Sequence, residues 1–476
     1  MTSSLVSYTA IAAAIMLSSC ASLPIDVPPQ PAPSVLASSE SLPQAQFFNA
    51  TAAPLPLPSE WWTEFDDALL SDLITRALGA NKQLSVAEAN IDIARAGLSR
   101  GSLERGYNVG SSASASAARS ASPNAFNTDL SLTGGGGIGA SWEYDLFGRI
   151  EAAIKASELS VEAAEQARRD VAVVIAAETA RAYVDLRGAQ TRLAVAKDNA
   201  DIQAQSLSLL NDLLENGRAT ELDVNRAEAQ YRTTLANLPR FDASIDAAVA
   251  RLAVLTGSNA SAPDTVLRSL KSVTGRVPVL RGTMALGEPS DLLRRRPDIR
   301  RAEVEIARRL ALSEVERARL FPVISFNADV RTLLDSGLGA RNATGIGIGF
   351  GIGPTLSWDG PDLRRVRADI DIADAQTNLA YAVYEQTVLQ ALSDVETALA
   401  AYKNELRRRS DLVRAVEAAR SALGLAKLRF EEGLDDFLDV LDAQRTVLES
   451  EDRLAESDLQ TTLLAIETYR QLGGTL

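Results

Sequence analysis

The 476-residue chain contains no histidine, and its one cysteine is Cys20. These absences exclude Ser-His-Asp and Cys-His catalysis, zinc sites of the usual nitrogen and sulfur type, and internal disulfides. Positive charge is also short: 48 Lys and Arg stand against 62 Asp and Glu, a net charge of -14. Phosphate backbones are held by clusters of Lys and Arg, so the acidic balance argues against a nucleic-acid partner. Apolar residues make up 46% and charged residues 23%, a globular balance rather than a disordered one. The apolar run at residues 5–17 is too short to span a bilayer and has the length of a signal-peptide core.

That run ends in Leu17-Ser18-Ser19-Cys20. Small residues before a cysteine resemble the bacterial lipobox, which implies cleavage of a signal peptide (1–19) and a lipid on Cys20. Ala21, rather than Asp, follows the cysteine, which favours the outer membrane. Two or three acyl chains give stable anchoring where one does not. From residue 20 to about 60 the chain is rich in Pro, Ser and Ala, as in a linker or strap.

The remainder is written twice. Gly217 and Gly433, Leu222 and Leu438, Asp223 and Asp439, and Ala227 and Ala443 are each 216 residues apart. Leu84 and Ile299, and Glu88 and Glu303, are each 215 apart. The repeats run over 61–275 and 276–476. In each, short helices precede a stretch of period two, and a long helical pattern follows. Gly345–Trp358 alternates strictly, with Ile, Phe, Leu and Trp on one side and Gly, Thr and Ser on the other. This predicts a strand over about 344–358, of the length a tilted membrane strand needs, beside another over about 322–332. In the first repeat, Ser-Ala alternation and Gly134–Gly137 fit either strands over about 107–119 and 130–145 or a loop. Four strands cannot close a barrel, and open edges do not survive in lipid, so strands must be shared between chains. Eight from two chains or twelve from three are both allowed numbers.

From Ile150 to Asn216 there is no proline and only one interior glycine, Gly188. The pattern predicts a helix roughly 100 Å long. A similar one runs from about Leu363 to Glu432. Each turns at an acidic bend, at 215–224 and 431–440, where a glycine ends one helix and polar residues start the next. The return arms reach about Leu255 and Leu472, with a break expected at Pro239. Alone, such helices read as a coiled-coil scaffold.

Ser141-Trp142-Glu143-Tyr144-Asp145-Leu146-Phe147-Gly148-Arg149 resembles the strand-to-helix signature of outer membrane factors. Pro289–Ile299 and Leu320-Phe321-Pro322 are similar to two further motifs of the family, in its NodT-like, TolC-related lipoprotein branch. The resemblance implies a fold mixing α and β: a homotrimer with a twelve-stranded outer-membrane barrel continuous with a helical barrel crossing the periplasm. It also implies docking to a periplasmic adaptor and an inner-membrane pump, no cofactor beyond the lipid on Cys20, and no catalysis. Trp142, Tyr144 and Trp358 fall near strand ends, as in an aromatic belt, or pack at the strand-helix junction. Arg294–Arg296 reads as a solvated face or an intersubunit ion pair.

In that family the tips close the periplasmic end. The matching positions are Gly217, Leu222 and Asp223 in the first copy, and Phe430, Gly433, Asp439 and Asp442 in the second. Asp439 and Asp442 are three apart, so they share a helix face, and three chains would stack them into cation-attracting rings. The alternative is a set of ordinary charges at a helix start. Asp435 stands where the family often has an arginine, so Arg218 is the cation expected to pair with Asp435 or Asp223. Arg218, Ala219, Leu434 and Phe437 are expected to be exposed for adaptor contact. Three functions fit: an efflux duct, a duct for protein secretion, and a non-channel lipoprotein scaffold.

Overall fold

Asp67 starts the first helix and ties it to the middle of one of the two longest. Its side chain accepts bonds from the Leu69 and Leu70 amides, both at 3.0 Å, and from the Tyr183 hydroxyl at 2.8 Å. Burial pushes the Tyr183 phenol up to about 12. The computed structural model describes residues 58–119, 130–272, 275–280, 282, 284, 295–337, 344–360 and 362–474. All of them lie in one compact unit, Gln44–Leu476. The signal peptide, Cys20 and nearly all of the strap lie outside the described residues.

The elements are α1 (Ala68–Ala80), α2 (Lys82–Ser102), β1 (Asn108–Arg119), β2 (Leu130–Tyr144), α3 (Arg149–Glu215) and α4 (Glu221–Leu255). Then come a short α5 (Thr265–Ser269), α6 (Pro297–Ala318), β3 (Val323–Gly337), β4 (Thr344–Ser357), α7 (Arg364–Glu431) and α8 (Phe437–Gln471). At 67 and 68 residues, α3 and α7 are each roughly 100 Å long. They form helical hairpins with α4 and α8. Among the described residues no helix is long and apolar enough to cross a membrane.

The main core lies where several elements converge on the middle of α3. Trp61, Trp62 and Phe65 of a short N-terminal turn meet Leu70, Leu73 and Ile74 of α1, with Tyr183 and Leu186 of α3, Leu252 of α4 and Tyr469 of α8. Trp61 stacks on Tyr469, with ring centroids 5.5 Å apart. Alanines along α3 let the neighbouring helices approach closely. At Gly188 the neighbour presses in: an added Cβ would lie 2.8 Å from both terminal carbons of Leu459 on α8.

The strands form one antiparallel sheet in the order β1-β2-β3-β4. The pairing of β2 with β3 joins the two repeats, setting Trp142 opposite Phe326 and Ile138 opposite Val330. Period-two alternation then sorts the side chains. One face carries Ile138, Trp142, Phe326, Val330, Phe350 and Ile352. Phe350 and Ile352 are 86% and 87% exposed, so no described residue covers that face. The other carries Ser112, Ser114, Ser141, Asn327, Asp329 and Arg331, with Gly135, Gly137 and Gly139 of β2 and the glycines of β4. The indoles of Trp142 and Trp358 donate to the Arg105 and Leu320 carbonyls, both at 3.1 Å, and Phe147 stacks on Phe321 at 4.5 Å. These aromatics are thus both half exposed and bonded to the helix ends below the sheet.

Two expectations are corrected. The helix α4 runs through Pro239 without a break. Proline removes one amide donor, but Pro239 sits on the exposed side of the helix, while Thr234 and Ile245 on either side of it are buried and hold the helix to the core. Arg296 does not lie on a solvated face. It forms a two-pronged pair with Asp298 (Nη2–Oδ2 2.7 Å) and donates to the Gln471 carbonyl at 2.8 Å, pinning α6 to the end of α8. The Arg296 guanidinium holds the half-buried Asp298 carboxyl below its usual range, against the opposing push of burial.

Candidate functional site

Both hairpin bends use one backbone solution. Gly217 has φ +71° and Gly433 φ +73°. The Gly217 amide donates to the Leu214 carbonyl (2.9 Å) and the Arg218 amide to Leu213 (2.8 Å). In the second copy Gly433 donates to Phe430 and Leu434 to Arg429, both at 2.9 Å. This is the Schellman ending, which needs a left-handed residue. An added Cβ at either glycine would meet nothing within 4 Å, so glycine is required by backbone conformation, not by crowding.

The side chains that hold the bends differ. In the first tip Thr220 and Asp223 form a capping box: the Asp223 amide donates to Thr220 Oγ1 (3.3 Å), and the Thr220 amide to Asp223 Oδ2 (3.1 Å). The Thr220 hydroxyl also meets Asp223 Oδ2 at 2.6 Å. In the second tip the Asp436 side chain makes no capping bond. Arg429 instead reaches across the turn to Asp435, with Nη2 2.7 Å from Oδ1 and Nε bonded to Oδ2. The guanidinium holds the Asp435 carboxyl below its usual range, and the carboxylate raises Arg429 in turn. Phe430 meets Phe437 edge to face at 5.0 Å.

The two tips are joined. Phe437, Val440 and Leu441 of α8 are buried with Leu210 of α3 and Ala227 of α4, and Phe430, Leu423 and Ala219 pack around them. Just above, Gln444 donates to Ser206 Oγ at 2.7 Å. All four long helices therefore share one small apolar cluster at the bends.

This arrangement corrects part of the sequence reading. Phe437 is buried, because it fills the gap between the hairpins, and Ala219 is half-buried against the same cluster. Phe430 is half-buried too. Asp435 pairs with Arg429, not with Arg218, and Asp223 is engaged by Thr220. Arg218 is exposed and, among the described residues, has no ion pair. Leu222 and Leu434 are exposed. Asp439 and Asp442 are exposed as well, and Asp442 pairs with Arg445 Nη2 at 2.6 Å. The cations that pair with the acidic side chains of the second tip are Arg429 and Arg445, not Arg218. The signal for Arg429 is its place in the last turn of α7, where a cation meets the negative end of the helix dipole. Among the described residues no group of three or more Asp, Glu, Cys or His side chains is placed to hold a metal ion.

Long helical hairpins with acidic ends, rooted in a sheet whose apolar face is uncovered, define a membrane-seated elongated protein. The sequence model of the family described as outer membrane efflux protein matches the chain twice, over residues 73–258 and 289–474. The two matches are displaced by 216 residues, the same spacing that separates Gly217 from Gly433. The chain belongs to the outer membrane efflux protein family. It is 31% identical over 433 residues to the outer membrane protein OprJ of Pseudomonas aeruginosa, covering 87% of this chain and 86% of that one. It is 29% identical over 450 residues to nodulation protein T of Rhizobium leguminosarum bv. viciae, covering 93% and 88%. Its fold is similar to that of the outer-membrane channel OprN, with a TM-score of 0.79 and 34% identity, covering 90% of this chain and 96% of that one.

Proposed function

We propose that this chain is one third of an outer-membrane exit duct serving a tripartite efflux system. Substrates handed over by an inner-membrane pump and a periplasmic adaptor pass through it to the exterior without chemical change. The observation that carries this reading is the sheet. Its strands are 12 to 15 residues long and, among the described residues, its apolar face is uncovered and β1 and β4 each keep one unpaired edge. In lipid such edges must be paired, and three chains placing β4 beside the next β1 make a closed barrel of twelve strands. The helical hairpins then extend into the periplasm, and the lipid on Cys20 adds a second anchor.

The tips close the periplasmic end. Asp439 and Asp442 form the acidic rings, while Arg429 with Asp435 and Thr220 with Asp223 hold the shape of each bend. Leu222 lines the narrowing beside them. The exposed Arg218 and Leu434 meet the adaptor, with Ala219 at the edge of that surface. Phe437 has no such role, being enclosed.

Purified protein reconstituted in a planar bilayer, with its mass measured in parallel, tests the duct. The expected result is a trimer giving discrete conductance steps that favour cations. The double variant Asp439→Ala, Asp442→Ala is expected to reduce that preference. A non-conducting monomer would sink the duct, and unchanged selectivity in the variant would sink the acidic ring.

A further inference from the structure

The inner face of the sheet carries a feature that closing a barrel does not require. Asp329 and Arg331 are two apart on β3, so both stand on the face of small and polar residues. Arg331 Nε donates to Asp329 Oδ2 at 2.7 Å. The neighbouring strands place glycine beside both: Gly139 and Gly351 flank Asp329, and Gly137 and Gly349 flank Arg331. An added Cβ at Gly351 would come 3.0 Å from Asp329 Oδ1, and one at Gly137 would come 3.2 Å from the Arg331 Cβ. The glycines therefore leave a bed on which the pair lies along the wall. A trough of about 450 Å³ follows this face, lined by Ser112, Ser114, Thr133, Asp329 and Arg331.

The pair is unequal. Asp329 is 34% exposed and Arg331 63% exposed, so the cation is the partner presented to the lumen. Only Nε is engaged; among the described residues neither Nη group of Arg331 has a bonding partner. A guanidinium with its outer donors free matches the two oxygens of a carboxylate, sulfonate or phosphate. Ser112, Ser114 and Thr133 along the same trough supply hydroxyls to such a ligand.

We propose that Arg331 is a specificity residue for anionic groups at the level of the barrel, held against the wall by Asp329 and the flanking glycines. This rests on the duct reading above, which sets three copies around one lumen. The duct then presents carboxylates at its periplasmic tips and, within the membrane, guanidinium groups each backed by the carboxylate of Asp329. A cation-selective constriction is followed by a station where organic anions pause on their way out.

The test is the reversal potential of the reconstituted full-length protein in a gradient of potassium chloride, then of sodium benzoate as the organic anion. Arg331→Gln is expected to lower anion permeability relative to cation on the order of twofold or more, and Asp329→Asn to raise it by a similar factor. Shifts of opposite sign cannot come from a general loss of folding. Arg331→Lys keeps the charge and is expected to hold the wild-type value in chloride. If a conducting wild type and both charge variants give one reversal potential, or if Arg331→Lys shifts as far as Arg331→Gln, the assignment is overturned. A wild type that does not conduct overturns the duct reading and this assignment with it.

Discussion

The two tips share a backbone and differ in what clasps it. The first is closed by the Thr220–Asp223 box, entirely within its own turn. The second is closed by a cross-turn ion pair and by Phe437, whose ring is buried among all four long helices. The position 216 residues before Phe437 is Glu221, which is exposed. A duplicated bend has thus become one tip clasped by side chains of its own turn and one whose leading aromatic ring fills the cluster that both tips share. Neither tip can move without breaking that apolar contact, but Thr220 and Asp223 can change at little cost to the second tip, whereas Phe437 cannot change without disturbing both.

The strongest way to break this comparison is at that pair of positions. Phe437→Ala is expected to destabilise the tip cluster by about 3–5 kcal/mol, and Glu221→Ala by about 0.5 kcal/mol. Hydrogen exchange of amides near residues 207–230 and 423–447 measures both, and equal effects would contradict the division of labour. Next come the turns. Gly217→Ala and Gly433→Ala should each cost about 1–2 kcal/mol, since both place an L side chain at positive φ in open space. Here the two tips are expected to agree, and the same exchange measurement compares them.

Thr220→Ala should cost about 1 kcal/mol through loss of the box. Asp436→Ala, at the matching position, should cost clearly less, because its side chain bonds to nothing in the cap. The smallest effect concerns pH. Asp435 has a folded pKa below its unfolded value, so the Arg429–Asp435 contribution is complete above the ordinary carboxylate range. It is lost as pH falls through the depressed value. Arg429→Gln should therefore remove the acid-dependent loosening of residues 429–436 while leaving exchange at 216–223 unchanged. Arg429 is exposed and Asp435 only half-buried, so the change at neutral pH should be slight.

Much of this architecture is readable along the chain. The strict alternation of Gly345–Trp358 coincides with β4, and the stretch from Ile150 to Asn216, with only Gly188 inside it, is α3. The sequence of β1 and β2 fits strand or loop alike, because Ser, Ala and Gly carry little apolar contrast. Pairing with β3, far off in sequence, decides them. Pro239 misled because propensity is local, while the packing of α4 on α3 is not. At the tips, the glycine turns and acidic residues are legible as local signals. The burial of Phe437 is not, because it depends on Leu210 and Ala227 of the other repeat. The Arg429–Asp435 pair was missed for a related reason: it spans a turn whose geometry brings residues six apart face to face.

The notch at Gly188 has a mechanical consequence. Leu459 seats there, against a position with no side chain of its own, and α3 continues from it to Glu215 for roughly 40 Å. The contact lies just past the middle of α3 and leaves that length as a lever arm beyond it. A tilt of about 5° at Gly188 carries the far end by about 3–4 Å, the diameter of a water molecule. An aperture worked from such a pivot changes by whole solvent molecules while the helices themselves stay straight.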